Sequence, residues 1–172
     1  MAKIAVFGSA FNPPTLGHKS VIESLLHFDQ VLLVPSIAHA WGKSMLDFDV
    51  RCGLVDAFIG DLNLDRVAIS RLEQQLHNGQ ESVTTYQLLE ALAEQSPGDS
   101  FTFVVGPDNF LNFAKFYRFD DILQRHSVLA CPEKVAVRST MIREQIAKHA
   151  SIDSLTTPSV AKYIQTHQLY AI

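Results

Sequence analysis

Several groups of residues in this chain have the chemistry of anion capture. The first is Gly8-Ser9-Ala10-Phe11-Asn12-Pro13-Pro14-Thr15-Leu16-Gly17-His18. Gly8 and Ser9 carry little side chain, so backbone N–H groups can come close to an anion there. Thr15 and His18 lie three residues apart, about one helical turn. At a helix N-terminus they add side-chain donors to a place that already favours phosphate. The loop is neither a Walker A motif nor G-x-G-x-x-G, and a Pro-stiffened turn capped by Thr15 is the purely structural alternative. The second group is Val137-Arg138-Ser139-Thr140-Met141-Ile142-Arg143. Ser139 and Thr140 would open a helix with free hydroxyls and N–H groups. Arg143, one turn on, would aim a planar donor fork at the same anion. A capped helix with a solvated arginine is the plain alternative. Gly106-Pro107-Asp108 offers a carboxylate that can accept both hydroxyls of a ribose, or cap the next helix. Lys43, in Ala38-His-Ala-Trp-Gly-Lys-Ser44, adds a loop cation. Beside it, Trp41 has a flat ring that can cover a heterocycle or pack on the core.

These groups need a frame that brings the start and end of the chain together. Short continuous apolar runs predict strands at Lys3–Phe7, Val31–Val34 (stopped by Pro35), Arg66–Ser70, Phe101–Val105 and Ser127–Ala130. Helical spacing predicts helices over His18–Phe28, around Val50, Leu54, Val55, Phe58 and Ile59, and over Val83–Gln95 and Ser139–His149. Asn109–Arg125 reads as mostly helical, with its aromatics as the expected place of any interruption, and Thr157 before Pro158 caps a last helix. Five β-then-α units imply an α/β fold, a Rossmann-like, doubly wound, mainly parallel sheet of about five strands with helices on both faces. Ligands of such sheets bind beyond the carboxyl ends of the strands. The loops after the first, second and fourth strands, where the unusual residues fall, are therefore the expected site.

Composition narrows the class. The 172 residues suggest one domain spanning 1–172. Apolar residues at 47% and charged residues at 19% exclude a disordered chain. The longest apolar runs are strand-sized, which predicts no membrane span. The N-terminus lacks a signal peptide's apolar centre. Two cysteines, Cys52 and Cys131, give neither a disulfide framework nor zinc spacing. A soluble, cytoplasmic protein is expected, of no particular oligomeric state. Lys plus Arg number 14 against 18 Asp plus Glu, a formal charge of -4, which disfavours nucleic-acid polymers and anionic membranes. A small anionic ligand stays compatible with that charge.

The pattern Gly8-x-x-Phe11-Asn12-Pro13-x-Thr15-x-Gly17-His18 resembles the G-x-F-[DN]-P-x-[HT]-x-G-H signature of the nucleotidyltransferase superfamily. More closely, the chain resembles the nicotinate/nicotinamide mononucleotide adenylyltransferases. Val137–Arg143 is similar to their I-S-S-T-x-I-R, Gly106-Pro107-Asp108 to G-x-D, and Lys115-Phe116-Tyr117 to K-W-Y. Ser82–Leu88 is similar to S-Y-T-x-D-T-L, and Thr157–Tyr170 to the closing P-x-x-V-x-x-Y-I-x-x-x-x-L-Y. Four departures stand out. Phe116 replaces Trp, Tyr86 stands in the Asp position, and Arg138 stands where a Ser is usual. The connection Pro132–Val137 is also shorter than the family's.

The resemblance implies an activity. Family members join a pyridine mononucleotide to the AMP part of ATP, releasing pyrophosphate, in NAD biosynthesis. ATP and a pyridine mononucleotide would be the partners, and Mg²⁺ would arrive held mainly by ATP phosphates, without a metal site on the protein. His18 would act on the transferring phosphoryl group, with Lys43, Arg143, Ser139 and Thr140 holding the leaving phosphates. Thr15 and the backbone of Gly8, Ser9, Ala10 and Phe11 would support them. Gly106 and Asp108 would hold the adenylate ribose. Asn12, Trp41, Thr84, Thr85 and Phe116 would face the mononucleotide. The alternatives are another phosphate acceptor, such as phosphopantetheine, and a non-catalytic nucleotide sensor on the same fold.

Overall fold

The structure, a computed structural model, describes residues 1–38, 44–79 and 82–171. Strands β1 (Lys3–Ser9), β2 (Gln30–Pro35), β3 (Val67–Ile69), β4 (Ser100–Val105) and β5 (Ser127–Ala130) form one sheet in the order β3-β2-β1-β4-β5. Every neighbouring pair is parallel. The chain therefore crosses from one side of β1 to the other between β3 and β4, and a crevice opens where the carboxyl ends of β1 and β4 diverge.

The continuous apolar runs are explained by burial on both faces. Ala5, Val31, Leu33 and Val104 enter one core with Val21 and Ile22 of α1 (Leu16–Glu23) and Leu54, Val55 and Phe58 of α2 (Phe48–Leu62). Ile142 of α7 (Ser139–Ala147) and Val160, Ala161 and Ile164 of α8 (Pro158–Thr166) complete it. Ile4, Val6, Val34, Phe101, Phe103 and Val105 enter the other, with Leu72 of α3 (Leu72–Leu76), Leu88, Leu89 and Leu92 of α4 (Thr85–Gln95), and Ile122 of α6 (Phe119–Arg125). Adjacent strand residues thus feed opposite cores, the period of two that a pleated strand imposes. Both faces are covered, as expected of a doubly wound sheet.

Element ends differ from the sequence expectation for local reasons. The first helix starts two residues earlier, at Leu16, because Thr15 is its N-cap. It closes at Glu23 rather than Phe28, because Leu25 N–H bonds to Ile22 and Phe28 N–H to Leu25, three residues back, which tightens the chain out of the α-helix. Pro35 does not stop β2 but ends it, paired in register with Ser9, where a missing donor is tolerated. The expected helix over Asn109–Arg125 is broken into α5 (Pro107–Leu111), a short 3₁₀ turn (Phe113–Lys115) and α6. The break falls where Phe116 is extended and Arg118 takes a left-handed φ of 54°. Helix α3 was not expected. Thr157 is the N-cap of α8, yet its hydroxyl makes no capping bond. Instead Asp61, at the end of α2, accepts from the Ser159 N–H at 2.8 Å and the Ser159 hydroxyl at 2.6 Å.

The connection from β5 to α7 lies directly on the first turn of α1. A Cβ on Gly17 would meet the Val137 carbonyl at 2.2 Å and the Glu133 carboxylate at 2.9 Å. Ser20 reinforces the contact by accepting from the Lys134 N–H at 3.0 Å while donating to the Gly17 carbonyl at 2.7 Å. Gly17→Ala should therefore lower stability by about 1–3 kcal/mol through overpacking. Gly60→Ala, in α2 with nothing within 4 Å of the new methyl, should raise it by about 0.5–1 kcal/mol. Urea unfolding midpoints of the two variants check this, and equal effects would contradict the close approach at Gly17.

Candidate functional site

The loop between β1 and α1 is held by side chains from distant parts of the chain. The Ala10 carbonyl accepts from Arg51 at 3.0 Å, and the Asn12 carbonyl from Arg143 at 2.7 Å. The Pro13 carbonyl accepts from the Ser139 hydroxyl at 2.7 Å, and the Pro14 carbonyl from the Thr156 hydroxyl at 2.8 Å. The Asn12 side-chain oxygen accepts from the Tyr170 hydroxyl at 2.7 Å. At the helix start, the Thr15 hydroxyl donates to the Val137 carbonyl at 3.0 Å. The residues near the start and end of the chain thus converge, as their chemistry suggested.

His18 is oriented by this turn. The Thr15 N–H donates to its Nδ1 at 3.0 Å, while the His18 N–H donates to the Thr15 hydroxyl at 3.2 Å, a reciprocal cap of α1. A backbone amide can only donate, so Nδ1 must carry its lone pair. The proton of the neutral ring is then on Nε2, 3.2 Å from the Ser9 hydroxyl. The rings of Phe11 and Phe7 lie 4.8 and 5.9 Å from the imidazole. Burial pushes the His18 pKa down to about 4. His18 is therefore a neutral N–H donor at physiological pH rather than a cation.

A cavity of about 560 Å³ fills the crevice between β1 and β4. Gly8, Ser9 and His18 line it from the first loop, and Gly106 and Asp108 from the end of β4. The β5–α7 connection supplies Cys131, Pro132, Glu133 and Ala136, and Arg138 follows. That connection therefore forms a wall of the cavity. Ser139, Thr140 and Arg143 sit beside the cavity rather than in its lining, at the junction of α7 with the first loop. Arg143 also reaches the Thr140 hydroxyl at 3.3 Å. Ala10 and Phe11 belong to the loop, and the Phe11 ring is fully buried. Thr84 caps α4 in a reciprocal box with Gln87, and Thr85 is the first residue of that helix. The Phe116 ring packs 4.7 Å from Phe113 and 6.5 Å from Phe103. Trp41 and Lys43 lie outside the described residues.

Three residues of this framework were not singled out from sequence. Arg51 is 1% exposed and donates to the carbonyls of Ala10, Ser36 and Leu46, joining the loops after β1 and β2. It shares a helical face with Leu54, Val55 and Phe58, and a cation on an apolar stripe was the available signal. Glu73, on the unexpected α3, accepts from the Ile37 N–H at 3.1 Å, and burial pushes its carboxyl up to about 7. Tyr170 was read only as part of a terminal pattern. Its hydroxyl is held protonated by burial, far above the usual range.

Known proteins share this architecture. The model of the cytidylyltransferase-like family matches residues 6–148. A Vibrio parahaemolyticus protein, solved by crystallography and provisionally named a nicotinate-nucleotide adenylyltransferase, is 55% identical with a TM-score of 0.87. The match covers 96% of this chain and 99% of that one. A "Probable nicotinate-nucleotide adenylyltransferase" of Anaeromyxobacter dehalogenans (strain 2CP-C) is 27% identical over 182 residues, covering 98% of this chain and 96% of the relative. The Plasmodium falciparum nicotinic acid mononucleotide adenylyltransferase complexed with NaAD superimposes with a TM-score of 0.76 at 18% identity. That match covers 99% of this chain and 98% of the other, and at that identity it establishes the fold.

The His18 assignment has a pH consequence. The unfolded imidazole takes up its proton near 6.5 and the folded one near 4. Between those values the unfolded state binds more protons, so stability should fall as pH falls through that window. Nitrogen NMR of the His18 ring should show the Nε2–H tautomer with a midpoint near 4. A midpoint near 6.5 with the proton on Nδ1 would contradict the geometry.

Proposed function

We propose that this chain, which belongs to the cytidylyltransferase-like family, is an adenylyltransferase that joins the AMP moiety of ATP to nicotinate mononucleotide and releases pyrophosphate. It acts in the cytoplasm as an enzyme of NAD biosynthesis. The observation that carries the reading is the cavity at the β1–β4 divergence, with the His18 Nε2–H at its wall beside the start of α1. The similarity to nicotinate-nucleotide adenylyltransferases over nearly the whole chain supports the choice of acceptor.

The reaction is an in-line displacement. An oxygen of the mononucleotide 5′-phosphate forms a bond to the α-phosphorus of ATP. The bond from that phosphorus to the α,β-bridging oxygen breaks, and pyrophosphate leaves with the electron pair. The attacking oxygen is already ionised, so no strong base is required. The obstacle is repulsion: two unit charges ~4 Å apart cost roughly 4 kcal/mol at an effective dielectric of ~20. His18 donates Nε2–H to the transferring phosphoryl group and its leaving oxygen. The Gly8–Phe11 backbone and the positive end of α1 support the phosphates. Arg143, Ser139 and Thr140 keep the α7 end of the site closed on the first loop and hold the leaving phosphates with Lys43. Gly106 and Asp108 take the adenylate ribose. Asn12, Trp41, Thr84, Thr85 and Phe116 bound the pyridine half.

Mg²⁺ fits as a passenger on ATP. The described residues contain no cluster of three or more ligating side chains. Glu133 and Asp108 line the cavity singly, and each can meet the ion's water shell. When bound, the ion neutralises phosphate charge.

Pyrophosphate release from ATP should depend on nicotinate mononucleotide in a panel that also holds nicotinamide mononucleotide and phosphopantetheine at equal concentration. Binding of ATP without release for any acceptor would favour a sensor. His18→Ala should lower turnover by ~100-fold or more, the scale of a lost transition-state donor. It should cost about 1 kcal/mol of stability through the lost reciprocal cap. Unchanged turnover in the folded variant would contradict the assigned role.

A further inference from the structure

The family-like motif at the α7 entry carries an arginine where a serine is usual, and the mechanism above leaves that arginine unassigned. The Val137 carbonyl is pinned to the Thr15 hydroxyl at 3.0 Å, so Arg138 follows immediately after a residue tied to the His18 turn. Arg138 is the N-cap of α7, with extended backbone angles of -115° and 155°. It lines the same cavity as Gly8, Ser9, His18 and Asp108.

Charge makes this placement informative. The lining described includes two carboxylates, Asp108 and Glu133, and a histidine that burial keeps neutral. Arg138 is the one cation among those lining residues. A triphosphate placed there would face net negative side-chain charge without it. The neighbouring donors are also partly committed. The Ser139 hydroxyl donates to the Pro13 carbonyl, and one Arg143 amine donates to the Asn12 carbonyl. The ion pairs found among the described residues involve Arg71, Arg118, Arg125 and His126, not Arg138. Its guanidinium has five N–H donors in a fork that matches phosphate oxygens.

We infer that Arg138 binds the triphosphate of ATP directly, as the cation of the cavity's α7 wall. The short connection delivers it there: with only Cys131–Val137 between the end of β5 and Arg138, and Gly17 and Ser20 seating that segment on α1, the residue cannot stand far from the His18 turn. This inference rests on the reading that the cavity takes ATP.

Calorimetry on the full chain tests it, with α,β-methylene-ATP as one probe and adenosine as the other. Arg138→Ala should weaken the methylene analogue about tenfold or more and leave adenosine unchanged, the signature of a lost phosphate contact. Arg138→Lys should recover part of the loss, because charge returns without the fork. Equal analogue affinity in wild type and Arg138→Ala would overturn the inference, and so would a parallel loss for adenosine, which marks general damage to the cavity. A wild type that binds the analogue but turns over no mononucleotide would overturn the proposed reaction alone, and the two-probe comparison would still judge Arg138. A wild type that binds neither probe would overturn both.

Discussion

The site depends on how the loop between β1 and α1 satisfies its backbone. Pro13 and Pro14 have no N–H, and the carbonyls of Ala10, Asn12, Pro13 and Pro14 point away from any regular ladder. Each meets a side chain from elsewhere: Arg51, Arg143, Ser139 and Thr156 respectively. A buried carbonyl left unmet costs about 1–3 kcal/mol, so these donors decide whether the loop has one conformation or many. They come from α2, α7 and the segment before α8. The loop therefore takes its shape only when those elements have docked on the same face of the sheet.

That constraint determines the electrostatics. With the loop fixed, the Thr15 N–H reaches the His18 ring and selects its tautomer, and Phe7 and Phe11 pack beside it. The outcome is a neutral ring that offers its Nε2–H at the cavity wall, and under the proposed reaction that proton is already aimed when charge develops on the leaving oxygen. Such a group needs no reorganisation during the reaction. It also leaves the cavity short of positive charge, since Asp108 and Glu133 stand on its other walls. The arginine at the α7 entry answers that deficit from the same clamp that joins Val137 to Thr15. Arg51 plays a different part: 1% exposed and bonded to three carbonyls, it ties the loops after β1 and β2 together from below.

Much of this was legible in the residues, and the rest was hidden for physical reasons. The strands could be read because two-faced burial leaves uninterrupted apolar runs, as in Lys3–Phe7. Helix ends could not: hydrogen bonds three residues back, near Leu25 and Phe28, close α1 while its apolar stripe continues. The aromatics of Asn109–Arg125 marked an interruption, and the helix does break among Phe113, Phe116 and Tyr117, but the left-handed Arg118 that completes the break is a backbone event their spacing does not encode. Residue types pointed to the right convergence of Thr15, His18, Ser139 and Arg143. Their partners were less readable, because a serine or arginine that suits a phosphate suits a backbone carbonyl equally well. Arg51 was missed for the converse reason: its helix reads as an ordinary amphipathic segment unless the single cation on its apolar face is taken as a buried donor.

The most direct measurement is a crystal structure of the protein with α,β-methylene-ATP. The account requires the triphosphate between the ends of β1 and β4, with a phosphate oxygen within hydrogen-bond distance of the His18 Nε2 and of the backbone N–H groups that follow Gly8. A triphosphate bound elsewhere, for example in a cleft between α7 and α8 lined by Ile146, Ile152 and Ile164, would contradict the central claim that the clamped loop exists to hold it.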